Sequence, residues 1–258
     1  MSDSSQEPAA VAYSGMPFLK HLEELRVRLI KSILTIAVFS AVAFYFADQL
    51  LTLIQRPLDG IPLHNMQVTG AFYAYLKVSL FAGILAALPV IFYQLWMFIS
   101  PGLYKHEKRL VLPLVATSTF LFLLGAGFCF LVVLPLSLKF LIGFAGEVII
   151  NYITIDSYIS FAGLLLLAFG FGFQMPIVAF FLGKAGIISS SFLAKGRRYA
   201  VIIILIGAAV ITPPDVFTQV LLAGPLYLLY EISIIVVKLS AERGREDEPE
   251  ESEEPTED

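Results

Sequence analysis

The chain has 258 residues, of which 58% are hydrophobic and 15% are charged, and its mean hydropathy is +0.82. Soluble domains are about half apolar and a quarter charged, so this composition excludes a soluble globular domain and indicates a polytopic membrane protein. The net charge of −4 comes from residues 242–258, which hold ten acids and two bases; the remainder has 15 bases and 11 acids, a net +4.

Residues 1–15 are a polar lead, and its start, MSDSSQEPAA, lacks the basic region that opens a secretory signal peptide. We therefore expect the first apolar span to remain as a signal anchor. In residues 18–32, Phe18, Leu22 and Leu29 lie on one helical face and charged residues on the other. This spacing predicts an amphipathic helix that follows the membrane interface and leads into the first span.

Six apolar runs predict six membrane spans, at residues 29–46, 78–98, 110–134, 158–182, 199–211 and 217–237. The fifth has 13 residues, which cover about 20 Å at 1.5 Å per residue. The apolar layer of a bilayer is about 30 Å thick. We therefore expect either that the fifth helix extends by a few residues or that the membrane thins around spans five and six, both of which are predicted to be short.

Prolines mark the loops and the span boundaries. Pro57 and Pro62 exclude one regular helix in the outer loop at residues 49–70, where we expect a short helix at each end. Pro89 lies inside span two. Span three is predicted to be bounded by prolines and to be followed by a second outer loop at residues 136–157; the bounding residues are Pro113 and Pro135.

The basic residues predict the orientation. Six spans place both termini on one side, and 14 of the 17 Lys and Arg residues lie on that side; the other three are Arg56, Lys77 and Lys139. Because short loops rich in Lys and Arg stay in the cytoplasm, both termini are predicted to be cytoplasmic. The expected fold is all-α, with a membrane domain at residues 16–238 and an acidic, disordered tail at residues 239–258.

Polar residues within the spans need partners. Gln174 lies past the middle of span four; it either satisfies a carbonyl that Pro176 frees or has a functional role. Gly170 and Gly172 would let a backbone or a ligand approach closely. Glu231 in span six must face protein or water, so we expect it to reach the interface, to pair with an inner-loop base, or to act in function.

Asp215 follows two prolines at the outer start of span six and is interpreted as the N-cap of that helix in preference to a ligand-binding residue. In the leading helix, Glu24 and Arg28 have the i,i+4 spacing of an ion pair that is worth about 0.2–0.5 kcal/mol. The sequence has no Walker, HExxH or GxSxG motif and no Cys/His cluster, so we expect no enzyme activity, metal, cofactor or nucleic-acid partner. Its single cysteine, Cys129, cannot form a disulfide within the chain.

A polar break, FISPGLYKHEKR at residues 98–109, separates spans two and three. In it Glu107 stands among Lys105, Lys108 and Arg109. A lone acid at the cytoplasmic edge of the membrane is a candidate docking point for a cationic ligand. The alternative is that Glu107 only pairs with its basic neighbours, because exposed ion pairs are usually solvated surface contacts.

The chain resembles the TatC family, the multispanning receptor subunits of the twin-arginine protein translocase. Four segments carry the resemblance, in the order of the family and over nearly the whole membrane body: FLKHLEELRVRLI at 18–30, FISPGLYKHEKR at 98–109, FGFGFQMPI at 169–177 and RRYAVIIILIGAAVITPPDVFTQ at 197–219. The resemblance implies six helices in a cupped arrangement in the bacterial inner membrane, with cytoplasmic termini. It also implies recognition of the paired arginines of signal peptides at the cytoplasmic face.

By the same resemblance, the two key acids of the family fall on Glu24 and Glu107. Phe98 and Leu103 match positions that line the site, and Arg26 is expected to hold Glu24 or its surroundings in place. The resemblance thus favours Glu107 as a docking residue over the surface-pair alternative. The chemistry agrees with it, because guanidinium groups bind carboxylates as a bidentate fork that lysine cannot match.

The resemblance also implies partners: TatB or a TatA-like single-span protein at span five, an oligomeric receptor complex, and export of folded cargo driven by the proton-motive force. The family usually carries a carboxylate where this chain has Gln174, so a hydrogen-bonding role carries over and a protonation role does not. The rival hypotheses are a proton-coupled small-solute transporter that uses Glu231 and Gln174, and a structural scaffold that tolerates replacement of both rim acids.

Overall fold

The regular structure of the chain is helical in the residues that its computed structural model describes, namely 16–99, 111–144, 152–212 and 215–246. Five stretches are long and apolar enough to cross a membrane: Lys20–Tyr45, Gly70–Ile99, Val111–Gly143, Ile155–Lys184 and Val216–Ser240. The predicted all-α, polytopic class is confirmed. One isolated parallel β-bridge joins His64 to Thr154.

The α-helices in these ranges are α1 (Met16–Tyr45), α2 (Ala47–Ile54), α3 (Gly70–Ile99), α4 (Val111–Phe128), α5 (Leu134–Gly143), α6 (Ile155–Gly172), α7 (Met175–Lys184), α8 (Ser190–Ile211) and α9 (Val216–Glu246). A 3₁₀ turn, Arg56–Leu58, follows α2, and a π-helical segment, Cys129–Val133, joins α4 to α5. The predicted amphipathic helix and span one are therefore a single helix, α1.

The prediction that Pro135 ends the third span is wrong. The helix runs without interruption from α4 through the π-helical segment into α5, so residues 136–143 of the predicted outer loop are helical. Pro135 lacks an N–H, and the π-helical turn directly before it changes the hydrogen-bond spacing so that the helix can continue. Pro89 lies inside α3 as predicted. Ahead of Pro176, in contrast, α6 ends and α7 begins.

The two outer loops are joined by backbone hydrogen bonds. The His64 N–H donates to the Ile153 carbonyl at 2.9 Å, and the Ile155 N–H donates to the His64 carbonyl at 3.0 Å. The buried Tyr158 hydroxyl donates to the carbonyl of Ile54 at the end of α2. The predicted short helix at the start of the first loop is present as α2. The second short helix, predicted at the end of that loop, is wrong: residues 61–69 are not helical, and α3 begins at Gly70.

Spans five and six differ from their predicted lengths. The apolar part of α9, Val216–Ser240, has 25 residues, so the prediction of a short sixth span is wrong. The helix α9 also continues to Glu246, through residues that were assigned to the disordered tail. The helix α8 has 22 residues, but its first nine include three bases, and its apolar part starts only at Tyr199.

Among the residues that the structure describes, two buried clusters form the core. The outer cluster includes Ile159, Leu165 and Leu222, and the inner cluster contains Leu88, Phe92, Trp96, Val111, Val115, Phe122 and Ile177. Helix α1 lies outside both and packs along α3, where a Cβ atom on Gly83 would stand 2.7 Å from the Cα atom of Ser40. The glycine lets the two backbones approach, so α3 sets the position of α1 and of its polar face.

Candidate functional site

The inner ends of α1 and α3 meet through an aromatic contact. The imidazole of His21 stacks on the ring of Phe98, with centroids 4.3 Å apart and an interplanar angle of 15°. Residue 98 stands 77 positions after residue 21, so this contact belongs to the tertiary structure. It places Phe98, which the family resemblance predicted to line the site, against His21, the residue one helical turn before Glu24.

Glu24 forms an ion pair with Arg28 on the same face of α1. The Arg28 Nε and Nη2 atoms donate to Glu24 Oε1 at 2.9 and 2.5 Å, and Arg28 Nη1 donates to Gln94 Oε1 of α3 at 3.3 Å. Both arginine contacts go to one oxygen, and Glu24 Oε2 has no hydrogen-bond partner among the described residues. The Glu24 side chain is 35% exposed and that of Arg28 18%. One carboxylate oxygen therefore remains available to a ligand.

The predicted i,i+4 pair of Glu24 and Arg28 is confirmed. Arg26 was expected to hold Glu24 or its surroundings; among the described residues, Glu24 is held by Arg28 instead. Arg26 is exposed. Residues two positions apart on a helix are separated by about 200° around its axis, while residues four apart are neighbours on one face. Arg28 holds the carboxylate for this reason, and it is itself held by Gln94.

We call the surface formed by His21, Glu24 and Arg28 of α1 with Gln94 and Phe98 of α3 the inner rim. The sequence analysis did not identify two of these residues, His21 and Gln94, as part of the site. Their spacing was a usable signal: His21 precedes Glu24 by three positions, and Gln94 precedes Phe98 by four, so each shares a helical face with a predicted site residue. The other two predicted site residues, Leu103 and Glu107, lie outside the described residues.

Gln174 is buried and connects helices. Its Nε2 atom donates to the Ser118 carbonyl of α4 at 3.1 Å and to the Gly170 carbonyl at 3.5 Å. The backbone N–H of Gln174 donates instead to Phe171, which leaves the Gly170 carbonyl without its helical partner. The amide thus covers the carbonyl left over by the break between α6 and α7, rather than the residue-172 carbonyl that Pro176 frees.

Gly170 and Gly172 allow close approach of side chains, where the sequence had predicted a backbone or a ligand. A Cβ atom on Gly170 would collide with the ring of Phe122, and one on Gly172 would collide with Leu226. Ser118 also accepts at its Oγ atom from Trp96 Nε1 at 2.9 Å. Gly170, Gly172 and Gln174 of span four therefore serve helix packing.

Glu231 pairs with a base of the inner side, which was one of its predicted outcomes. Arg197 of α8 binds it as a fork, Nε to Oε1 at 2.8 Å and Nη2 to Oε2 at 2.9 Å. The Tyr227 hydroxyl donates to Oε1 at 2.8 Å. Both carboxylate oxygens are engaged at the contact between α8 and α9. Among the described side chains, no hydrogen bond joins this cluster to Gln174, so the transporter hypothesis gains no support.

Asp215 caps α9 as predicted, because its Oδ1 atom accepts from the Thr218 N–H at 2.6 Å. Cys129 is buried and free. In the part of the chain that the structure describes, no three His, Cys, Asp or Glu residues are grouped in a way that could hold a metal ion.

Gln174, Glu231 and Asp215 all bind partners within the protein, whereas Glu24 keeps one carboxylate oxygen for a ligand. The inner rim of α1 and α3 is therefore the candidate site.

The fork between Arg197 and Glu231 can be tested by charge exchange. We expect Glu231→Arg or Arg197→Glu alone to reduce the amount of folded protein recovered from membranes, because each places two like charges at the inner end of α8 and α9. The double variant should recover most of the loss. Lys195→Glu, an exposed position on α8, is the matched control. Failure of the double variant to rescue would show that the fork does not hold the two helices together.

Comparisons with known proteins give one consistent relationship. The family model described as Sec-independent protein translocase protein (TatC) matches residues 20–225. The chain is 43% identical over 242 residues to the Sec-independent protein translocase protein TatC of Desulforapulum autotrophicum, covering 92% of this chain and 90% of the relative. It is 45% identical over 237 residues to that of Aquifex aeolicus, covering 90% of this chain and 98% of the relative.

Two solved structures have the same fold. A crystal structure of the twin arginine translocase receptor TatC matches with a TM-score of 0.77 and 46% identity, covering 86% of this chain and 99% of that chain. A second crystal structure of that receptor, in DDM, matches with a TM-score of 0.79 and 46% identity, covering 84% of this chain and 99% of that chain.

Proposed function

The chain belongs to the TatC family, and we propose that it is the receptor of a twin-arginine translocation system, which binds the paired arginines of signal peptides at its cytoplasmic face. The observation that carries the proposal is the half-exposed carboxylate of Glu24, whose Oε2 atom is left available while Oε1 is held by Arg28. The relatives that match over nearly their whole length are described as translocase proteins, and the matching crystal structures as the twin arginine translocase receptor.

The geometry at Glu24 suits an incoming guanidinium. Arg28 is anchored by Gln94, so the carboxylate is oriented before a ligand arrives, and ordering it costs little on binding. A ligand arginine can donate to Oε2, and it can complete a fork if one Arg28 contact opens. Phe98 stacks on His21 beside this position and supplies an apolar wall. We propose Leu103 and Glu107 as the remaining wall and the second acid.

The proposed location is the bacterial inner membrane with both termini cytoplasmic, which is supported by the excess of Lys and Arg on one side. We also propose that α8 binds a TatB or TatA-like single-span partner within an oligomeric complex. Its outward face is apolar and exposed along its length: the exposed fraction is 68% for Ile203, 61% for Ile206 and 80% for Val210. In this arrangement α8 would present apolar side chains to a partner helix or to lipid.

The direct test is photocrosslinking of a signal peptide to the chain in inner-membrane vesicles. A twin-arginine peptide should crosslink to α1 and to the end of α3, and a peptide with both arginines changed to lysine should crosslink several-fold less, because the ammonium group cannot form the fork. Equal crosslinking by the two peptides would overturn the proposed recognition of arginine and leave the family assignment intact.

A further inference from the structure

An apolar groove of about 400 Å³ lies between α4, α7 and α9, away from the rim of α1 and α3. Of the described residues, eleven line it, and the two with polar side chains among these are Thr117 and Lys184. Its walls include Leu114 of α4, Phe180 of α7 and Val236 of α9. A groove this apolar takes a hydrocarbon ligand more readily than a polar one.

The groove is about as deep as one leaflet of a membrane. Its lining on α4 extends from Pro113 to Leu121, and its lining on α7 extends from Pro176 to Lys184. Each stretch rises about 12 Å at 1.5 Å per residue, compared with about 15 Å for half of the apolar layer of a bilayer. The start of α4 and the end of α7 lie on the side that the basic residues predict to be cytoplasmic, so the groove belongs to the cytoplasmic leaflet.

The volume favours a chain over a helix as the occupant. A helix segment 12 Å long and about 10 Å in diameter occupies about 900 Å³, more than twice the volume of the groove. A helix of a partner or of a peptide could therefore lie only along the open side of the groove, whereas a single acyl chain can lie between its walls.

A cation stands at the headgroup end of the groove. Lys184 is the last residue of α7, and it carries three N–H donors, so it can bind a phosphate oxygen in addition to the interaction that it has within the protein. Basic residues in pockets between membrane helices on the cytoplasmic side bind anionic lipid headgroups. The charge of Lys184 and the depth of the groove therefore both favour an anionic lipid of the cytoplasmic leaflet.

We propose that this groove binds one anionic phospholipid of the cytoplasmic leaflet, with an acyl chain along α4 and α7 and its phosphate on Lys184. The proposal does not depend on the receptor function, because the groove lies outside the rim that holds Glu24. A lipid bound here would fill the space between α4 and α7, beside Val236 of α9.

The chain contains a built-in reporter. Trp96 is its single tryptophan; it is 4% exposed and contacts Phe181 of the groove wall at a centroid distance of 5.1 Å. We would reconstitute the full chain in phosphatidylcholine vesicles and titrate phosphatidylglycerol or phosphatidylethanolamine with acyl chains brominated in the half near the headgroup. Bromine quenches tryptophan at short range, so quenching of Trp96 reports occupancy of the groove.

We expect half-maximal quenching at about a five-fold lower mole fraction of phosphatidylglycerol than of phosphatidylethanolamine, which corresponds to one lysine near the membrane surface. Lys184→Gln should abolish this preference, and Lys195→Gln, which removes an exposed cytoplasmic charge elsewhere, should keep it. Thr117→Phe, which fills the groove, should reduce quenching by both lipids.

Equal quenching by the two lipids, or equal loss of preference in both lysine variants, would overturn the proposal, because only bulk surface charge would then be acting. Competitive reversal of quenching by an added twin-arginine signal peptide would also overturn it and would assign the groove to the peptide. Retained quenching in Thr117→Phe would also overturn the proposal, because the bromines would then reach Trp96 by a path outside the groove.

Discussion

Glu24→Gln is expected to weaken binding of a twin-arginine signal peptide by about 10- to 100-fold. A hydrogen bond to a charged group contributes about 1.5–3 kcal/mol, and the substitution keeps the shape of the side chain while it removes the charge that orients a guanidinium. It also releases Arg28, which would then repel the incoming arginine. Peptide affinity measured in reconstituted vesicles at fixed salt gives the ratio.

The matched control for this variant is Glu23→Gln, which removes the same charge from the neighbouring, exposed position of α1. We expect it to change peptide affinity by less than about two-fold, because an exposed charge at this distance acts only through the screened field of the surface. If Glu23→Gln and Glu24→Gln weaken binding equally, the effect is one of net charge, and Glu24 does not bind the peptide.

Phe122→Ala is expected to be the most destabilising single substitution, at about 2–4 kcal/mol. The ring is fully buried in the inner cluster, lies 5.3 Å from the ring of Phe171 and 6.1 Å from that of Phe92, and fills the space above Gly170. Truncation of a buried Phe in a water-soluble core costs about 3–5 kcal/mol. Lipid is as apolar as the core, so the lost packing contributes here and the transfer from water contributes less.

Phe120→Ala is the control, because it removes the same side chain from the same helix at a position that is 63% exposed. The thermal midpoint can be measured on the purified chain in detergent from the monodisperse fraction that remains after heating. We expect this midpoint to fall clearly for Phe122→Ala and little for Phe120→Ala. Similar losses would mean that residue 122 contributes no packing beyond that of a lipid-facing phenylalanine.

Much of the fold could be predicted because membrane spans are local features of the sequence. Long apolar runs predicted every stretch that is long and apolar enough to cross a membrane. The errors occurred where backbone hydrogen bonds could be rearranged. Pro135 was expected to end a helix, but the π-helical segment before it lets α5 continue. The length of α9 was underestimated, since helix formation carried it past the apolar run into charged residues.

The candidate site could be predicted in part. The pair of Glu24 and Arg28 followed from helical spacing. For Glu231, pairing with an inner-side base was one of three outcomes that the cost of a lone carboxylate in a membrane left open. The sequence could not show which inner base pairs with Glu231, because the choice of Arg197 depends on how α8 packs against α9. The expectation that Arg26 holds Glu24 or its surroundings came from resemblance alone, and helical spacing places Arg26 about 200° around α1 from Glu24.

By itself, the sequence determined the class, the approximate spans and the acid of α1 that is paired within its own helix, because hydropathy, charge and helical periodicity all act over a few turns. Only the tertiary structure decided that Gln94 anchors Arg28, that His21 stacks on Phe98, and that a groove one leaflet deep lies between α4, α7 and α9. The physical reason is that these contacts join residues more than 50 positions apart, where the packing of whole helices sets every distance.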